Sequence, residues 1–357
     1  MITILGQEYS ESVESIDLCD LDDIYEIPPE VFLLTNLKSL DISHNELHTI
    51  SPDISKLINL EKLDISCNDT TSLPEELFSL KKLEYLDINS NELTEISNNI
   101  SHLTNLKTLF IGHNELGMFP HGICALINLE YLEMVGCKVK LIPSQFTQLV
   151  QLKELILSDN DLNTFPKEIC SLQYLTRLNL NHNKIKIILP EIKNLENLTT
   201  FCVLYNNISI LPNELFQLNS LTKLICSLNK IKSIPDSISN LLNLKYCGFG
   251  NNHIKIFPKS LTQMEHLYYL DMSNNYLTEF PLNITNSHTL VKLFLHHNPL
   301  NCINLEKNQN NLDEITYFAM KSKIYSAYFA TLRIQNWIRK YVLDKYFVYS
   351  DTINVAI

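Results

Sequence analysis

The side chains able to do chemistry in this chain are its 11 histidines, 9 cysteines and 40 carboxylates, and their spacing favours recognition over catalysis. His44 and Cys67 stand 23 residues apart, and Ser90 and His113 continue the interval. Two ligands so spaced could face one metal ion from neighbouring strands, but a zinc site needs three or four, and no third strong ligand joins them. His296 and His297 are adjacent, so on a strand they should diverge. Cys226 and Cys247 replace core leucines, and packing accounts for them. A nucleophilic cysteine needs a base and a group that orients the base, and neither is identifiable here. The sequence has no GxGxxG, P-loop, HExxH, GxSxG or paired-cysteine motif. The chain is therefore read as a non-enzyme with no metal and no cofactor.

Charge narrows the partners. A net charge of -12 argues against nucleic acid, because phosphate neutralisation needs clustered Lys and Arg. Residues 1–36 hold nine acids and no Lys or Arg, whereas residues 301–357 hold seven bases against five acids. No apolar run approaches the roughly 18–20 residues that span a bilayer, so no membrane partner is expected. The start, MITILGQEYSESVE, lacks a basic and then apolar leader, and the scattered cysteines suit a reducing compartment. A cytoplasmic location follows as an expectation.

One pattern must position all of these residues. Leu37, Leu60, Leu83, Leu106 and every 23rd residue on to Leu290 open twelve units of the form LxxLxLxxNxL, as in Leu37-Lys-Ser-Leu40-Asp-Ile42-Ser-His-Asn45-Glu-Leu47. The LxL alternation predicts strands near 38–43, 61–66 and onward, each buried on one face. A single short strand cannot bury that face alone, so neighbours must stack into a parallel sheet with a continuous core. The ninth position is Asn45, Asn68, Asn91, Asn114, Asn160, Asn183, Asn206, Asn229, Asn252, Asn275 and Asn298, with Cys137 the exception. A buried amide there can pair with turn backbone that would otherwise go unsatisfied, and a thiol does so poorly.

The second half of each unit reads xxLPxxIxxLxxL. Pro74, Pro120, Pro143, Pro166, Pro212, Pro235, Pro258 and Pro281 share one phase, predicting a short helical or 3-10 turn on the convex side. Pro52 and Pro190 fall one residue late and Ser97 replaces Pro, so those turns should differ locally. Over residues 37–300 the pattern resembles the leucine-rich repeat family. Its 23-residue length and LP segment resemble the intracellular repeats of Ras-associated and plant intracellular scaffold proteins. The Ile- and Asn-rich composition is similar to leucine-rich repeat proteins of giant DNA viruses or protists. The resemblance implies an α/β solenoid, with a curved parallel sheet on the concave side, that binds protein.

Three segments follow. Residues 1–36 read as an acidic cap with a degenerate 24-residue unit (Val13, Ile16, Leu18, Leu21, Ile24, Val31), residues 37–300 as the twelve repeats, and residues 301–357 as a helical tail. The tail has no Pro or Gly over 312–347, and Ile334, Gln335 and Arg339, with Phe347 downstream, resemble an incomplete IQ motif. That resemblance implies a calmodulin-like partner, whereas the simpler role is a capping helix that packs Trp337 on the last repeat.

The binding face is read from the residue inside each LxL, which should point to the concave side. It runs Asp41, Asp64, Asp87, Phe110, Glu133, Ile156, Asn179, Cys202, Ile225, Gly248, Asp271, Phe294. Stacked aspartates repel at the roughly 4.8 Å strand spacing, so folding should gain nothing from Asp41, Asp64 and Asp87. From the middle onward the column and its flanks become apolar and aromatic, with Tyr205, Ile225, Leu228, Tyr246, Tyr268, Tyr269 and Phe294. The expected partner is a protein segment both basic and apolar, bound by a standalone scaffold or by an adaptor whose tail recruits a second protein.

Overall fold

The computed structural model describes residues 1–21, 24–279 and 289–300. The chain divides into two compact units, Met1–Asn207 and Ile208–Ile357, and both are built from the same repeat. In the first, three-residue parallel strands follow one another from Ser15–Asp17 and Ser39–Asp41 to Thr200–Cys202. Their register joins equivalent residues: Leu40 lies opposite Leu63, Leu63 opposite Leu86, and Leu86 opposite Leu109. In the second, Lys223–Ile225, Tyr246–Gly248, Tyr269–Asp271 and Lys292–Phe294 pair in the same way, through Leu224, Cys247, Leu270 and Leu293.

The strands are short because only the LxL triplet alternates. The two apolar residues of the triplet are buried, the first as the middle residue of its strand, and the leucines that open each unit and close each turn pack with them. Burying each such side chain contributes about 1.5–3 kcal/mol, and the repeat supplies several per unit.

Among the described residues the opposite side is built of 3-10 turns. Five-residue turns run from Pro29–Leu33 and Pro52–Lys56 to Lys259–Gln263, each starting 23 residues after the last. Five residues leave little room for i→i−4 bonding, which is why the tighter turn prevails. Three of these turns differ at the cap, as expected, while their length and phase stay the same. Pro52 and Pro190 occupy the first turn residue instead of the cap, where fixed φ and a missing N–H are equally tolerated. Ser97 caps its turn with a hydroxyl that accepts from Asn99 N at 3.2 Å, as Ser51 does for Asp53 N.

The front segment contributes a true strand, with Ile16 opposite Leu40 and Asp17 opposite Asp41. Ahead of it lies a hairpin that the sequence reading did not foresee, Ile2–Ile4 with Gln7–Tyr9, closed by Leu5 and Gly6. Both turn residues have positive φ (48° and 83°), as a two-residue hairpin turn requires, and Ile4 is buried. Among the described residues no helix is long and apolar enough to cross a membrane. The expected C-terminal helix, with Ile334, Gln335, Arg339 and Phe347, lies outside the described residues, as do Asp22, Asp23 and Pro281.

Candidate protein-interaction face

Each exposed face residue is held by the turn that follows its strand, and the buried Asn row holds that turn. Asn68 is representative: its Nδ2 donates to the carbonyls of Ile42 (3.0 Å), Ile65 (3.1 Å) and Ser66 (3.1 Å), and its Oδ1 accepts from Leu47 N at 2.9 Å. Asn160 repeats the set with Met134, Leu157, Ser158 and Val139 N. In the second unit Asn252 does so with Cys226, Phe249, Gly250 and Ile231 N. Cys137 keeps two weaker contacts, Sγ to the Ile111 carbonyl at 3.2 Å and to the Val135 carbonyl at 3.7 Å, and has no amide oxygen for Leu116 N–H. The turn there is remade by Gly117, whose N–H donates to the Cys137 carbonyl and whose φ is +66°. The residue before each Asn takes a left-handed φ, as at His44 (55°), Cys67 (53°), Tyr205 (53°) and Leu228 (54°). Bulky residues adopt this conformation at a cost of about 1–3 kcal/mol, which the four bonds of the adjoining amide offset.

On the first unit's face, Asp17, Asp41, Asp64 and Asp87 lie in register on four consecutive strands. The sequence reading missed Asp17 as the first member, although Ser15-Ile-Asp17 mirrors Ser39-Leu-Asp41. The expectation that folding gains nothing from these aspartates is corrected. Asp41 Oδ1 accepts from Ser43 N (3.0 Å) and Oγ (2.7 Å), Asp64 Oδ1 from Ser66 N and Oγ, and Asp87 Oδ1 from Asn89 N at 3.0 Å. Each carboxylate thus closes a local turn two residues on. The charge is not needed for this, because Asn179 Oδ1 accepts from Asn181 N at 3.0 Å with a neutral amide.

Aromatic rings stand among these charges. Phe110 lies with its ring centroid 5.6 Å from Tyr85 and 4.8 Å from Tyr131, and Lys62 Nζ sits 4.9 Å from the Tyr85 centroid. Tyr85 and Tyr131 were not singled out in the sequence, which placed the aromatic zone later. Their signal is the position just before the buried strand leucine. Tyr85 OH donates to Asp87 and Tyr131 OH to Glu133, at 3.2 and 3.0 Å. Burial, then the like charges of Asp64 and Glu133, push the Asp87 carboxyl up to about 6 against the opposing bonds from Asn89 and Tyr85. Glu133 reaches across Gly112 to Asn89 Nδ2 at 3.2 Å, and Asn89 Oδ1 in turn accepts from Gly112 N. A Cβ at 112 would press on that amide oxygen, at 3.1 Å. At the end of this unit Tyr205 stacks on His182, with centroids 4.8 Å apart.

On the second unit's face the aromatic rings lie near one another. Tyr246 lies 6.1 Å from Tyr268 and 6.3 Å from Tyr269, and Tyr269 lies 5.3 Å from Phe294. Ile225 is half-buried and Leu228 exposed. Gly248 and Gly250 leave room for their neighbours: a Cβ at 250 would meet Asp271 Oδ2 at 2.6 Å, and one at 248 Ile225 Cδ1 at 3.1 Å.

The residues weighed for chemistry are placed as follows. His44 is exposed and Cys67 half-buried, each at its left-handed turn position. His296 and His297, expected to diverge, keep ring centroids 5.0 Å apart, because the strand ends at Phe294 and both lie in the turn that follows, where the φ of His297 is 55°. Among the described residues only Asp17, Cys19 and Asp41 gather three ligand atoms within 4.8 Å; Asp17 is exposed, the other two are half-buried, and the two aspartates belong to the carboxylate row. Burial pushes the Cys137 and Cys170 thiols up to about 12, and the Cys247 thiol higher still, so these cysteines stay protonated.

Family models described as leucine rich repeats match residues 35–79, 58–116, 151–172, 174–195 and 266–287. No curated protein sequence matches the chain. Among solved structures, a leucine-rich repeat protein of Leptospira interrogans is 30% identical, with a TM-score of 0.78 and coverage of 85% of this chain and 89% of that one. An internalin of Listeria monocytogenes is 25% identical, with a TM-score of 0.74 and coverage of 82% and 83%. A plant peptide hormone receptor, RGFR1 in complex with RGF2, is 26% identical, with a TM-score of 0.55, and this chain covers 56% of it.

Proposed function

This chain belongs to the leucine-rich repeat family, and from that premise we propose that it is a non-catalytic scaffold that binds a protein partner on its sheet faces. The observation that carries the reading is the carboxylate row of the first unit. A neutral amide at Asn179 closes the same turn, so the charges of Asp41, Asp64 and Asp87 serve something other than folding. Set beside the Tyr85, Phe110 and Tyr131 rings, they suit a segment that is both basic and apolar. The second unit's Tyr246, Tyr268, Tyr269 and Phe294 supply aromatic anchors on its own face. That a similar receptor carries a peptide hormone supports protein or peptide as the ligand class. In this reading residues 1–36 cap the repeats, the 23-residue units are of the intracellular class, and the protein works in the cytoplasm.

The test is a binding titration of the full chain with a labelled peptide of alternating lysine and leucine. Replacing Asp41, Asp64 and Asp87 by Asn keeps the turns and removes the charge, so association should slow and lose most of its salt dependence. Phe110→Ala should instead speed dissociation. If neither set alters binding while substitutions on the 3-10 side do, the face assignment is wrong. Recruitment through the tail is separated by Ile334→Ala with Arg339→Ala, which should leave this titration unchanged and would abolish capture of a calmodulin-like protein.

A further inference from the structure

Among the described residues, several of the most exposed large apolar side chains recur off the sheet faces, at one position of the repeat. In the first unit Met118, Leu141 and Ile187 are 78%, 67% and 62% exposed, and in the second Ile210 and Ile256 are 72% and 79% exposed. Singly, exposed apolar residues are ordinary. These share one register position, two residues before the 3-10 cap, which recurs every 23 residues. Thr49, Ser72 and Glu95 fill it in earlier repeats, so the fold accepts polar residues there and packing does not explain the change.

Two further features of the first unit accompany the row. Lysines flank it: Lys138 and Lys184 pair with Glu115 (2.8 Å) and Asp161 (2.6 Å), while the exposed Lys140 and Lys186, immediately before Leu141 and Ile187, form no ion pair among the described residues. The row is also notched. Where Thr164 interrupts it, a groove of about 230 Å³ opens, whose lining includes the apolar Leu141, Phe165 and Leu189 and two lysines, Lys140 and Lys167, against one acid, Glu168. That volume is below the range of small-molecule sites and suits a single inserted side chain.

We propose that this loop edge of the first unit, from Leu141 across Thr164 to Ile187, is a second docking site that takes an acidic and apolar segment of a protein partner. The lysines supply the complement to its carboxylates, and the notch receives one large apolar side chain. The sign is opposite to that of the carboxylate row, so the two surfaces select different partners. A membrane surface would instead favour an unbroken apolar row, and the notch at Thr164 argues for an inserted knob. The site is independent of the sheet-face reading.

The probe is a fluorescein-labelled peptide with one Leu-Phe pair flanked on each side by aspartates, titrated by anisotropy into the full chain. Leu141→Ser with Ile187→Ser, and separately Lys140→Glu with Lys186→Glu, should each weaken binding by about tenfold or more, the range of an interface anchor. A peptide with Ser-Ser in place of Leu-Phe should bind as weakly to the unaltered protein. All four side chains are exposed, so an unchanged urea midpoint verifies folding. Asp64→Asn on the sheet face should leave the affinity unchanged, so failure here is distinct from failure there. No binding by the unaltered chain, equal binding by both edge variants, or binding only to vesicles containing phosphatidylserine would each overturn the proposal.

Discussion

The buried Asn row and the half-buried carboxylate row lie four residues apart in the same turns, and both hold backbone with a side-chain oxygen. Asn160 makes four bonds to groups that water cannot reach, three of them to carbonyls. Asp64 accepts two bonds from Ser66, both at one carboxylate oxygen. The buried row tolerates little substitution because every lost bond strands a partner. The carboxylate row needs only an acceptor, so its charge is free to serve binding.

The largest effect expected from this contrast is at Asn160. Asn160→Ala should destabilise by about 1–3 kcal/mol, whereas Asp161→Ala, which removes an exposed pair with Lys184, should cost well under about 1 kcal/mol. Equal urea midpoints for the two would break the comparison. Next, Asp64→Ala should cost about 0.5–1.5 kcal/mol through the lost turn, while Asp64→Asn should be close to neutral. Similar losses for both would mean that the charge itself stabilises the fold. Cys137→Asn sharpens the buried side: a restored amide should add about 0.5–1.5 kcal/mol if the Gly117 turn yields to it, and a lower midpoint would show that the remade turn excludes the rung.

The smallest effect is one of pH. Asp87 is raised to about 6 in the folded chain, so it keeps a proton there that the unfolded chain has already lost near pH 4. Stability should therefore fall as pH rises from about 4 to 6, and stay reduced above that. Asp87→Asn should remove this slope and raise Tm at pH 7 by roughly 2–4 °C, with no gain below pH 4. A basic partner would draw the carboxyl back down, so its affinity should strengthen as pH rises through 6. A Tm difference independent of pH would show that burial, not charge, governs this residue.

Much of this was legible in the residues. Leu40, Leu63 and Leu86 announce their strands by alternation, and Asn45 to Asn298 mark the turns, because a repeated backbone need selects a repeated side chain. The second amide row was not read. Exposed Asn36, Asn59, Asn105 and Asn128, just ahead of the opening leucines, donate to carbonyls one unit back, at 2.8–3.1 Å, but only some repeats carry them. The candidate face was half legible: Asp41, Phe110 and Tyr246 came from register, while Tyr85 and Tyr131 sit one step off the column and gain meaning only from the rings beside them.

The sequence by itself determined the period, the strand positions, the buried leucines and the Asn row, since each answers a demand made within one repeat or between equivalent residues of two. Only the tertiary structure decided which unlike residues meet. Glu133 reaches Asn89 across 44 residues, like charges crowd Asp87, and the chain divides after Asn207 although the 23-residue period runs through that point unbroken. Such contacts depend on side-chain direction and distance in space, which a period repeats in every unit and therefore cannot distinguish.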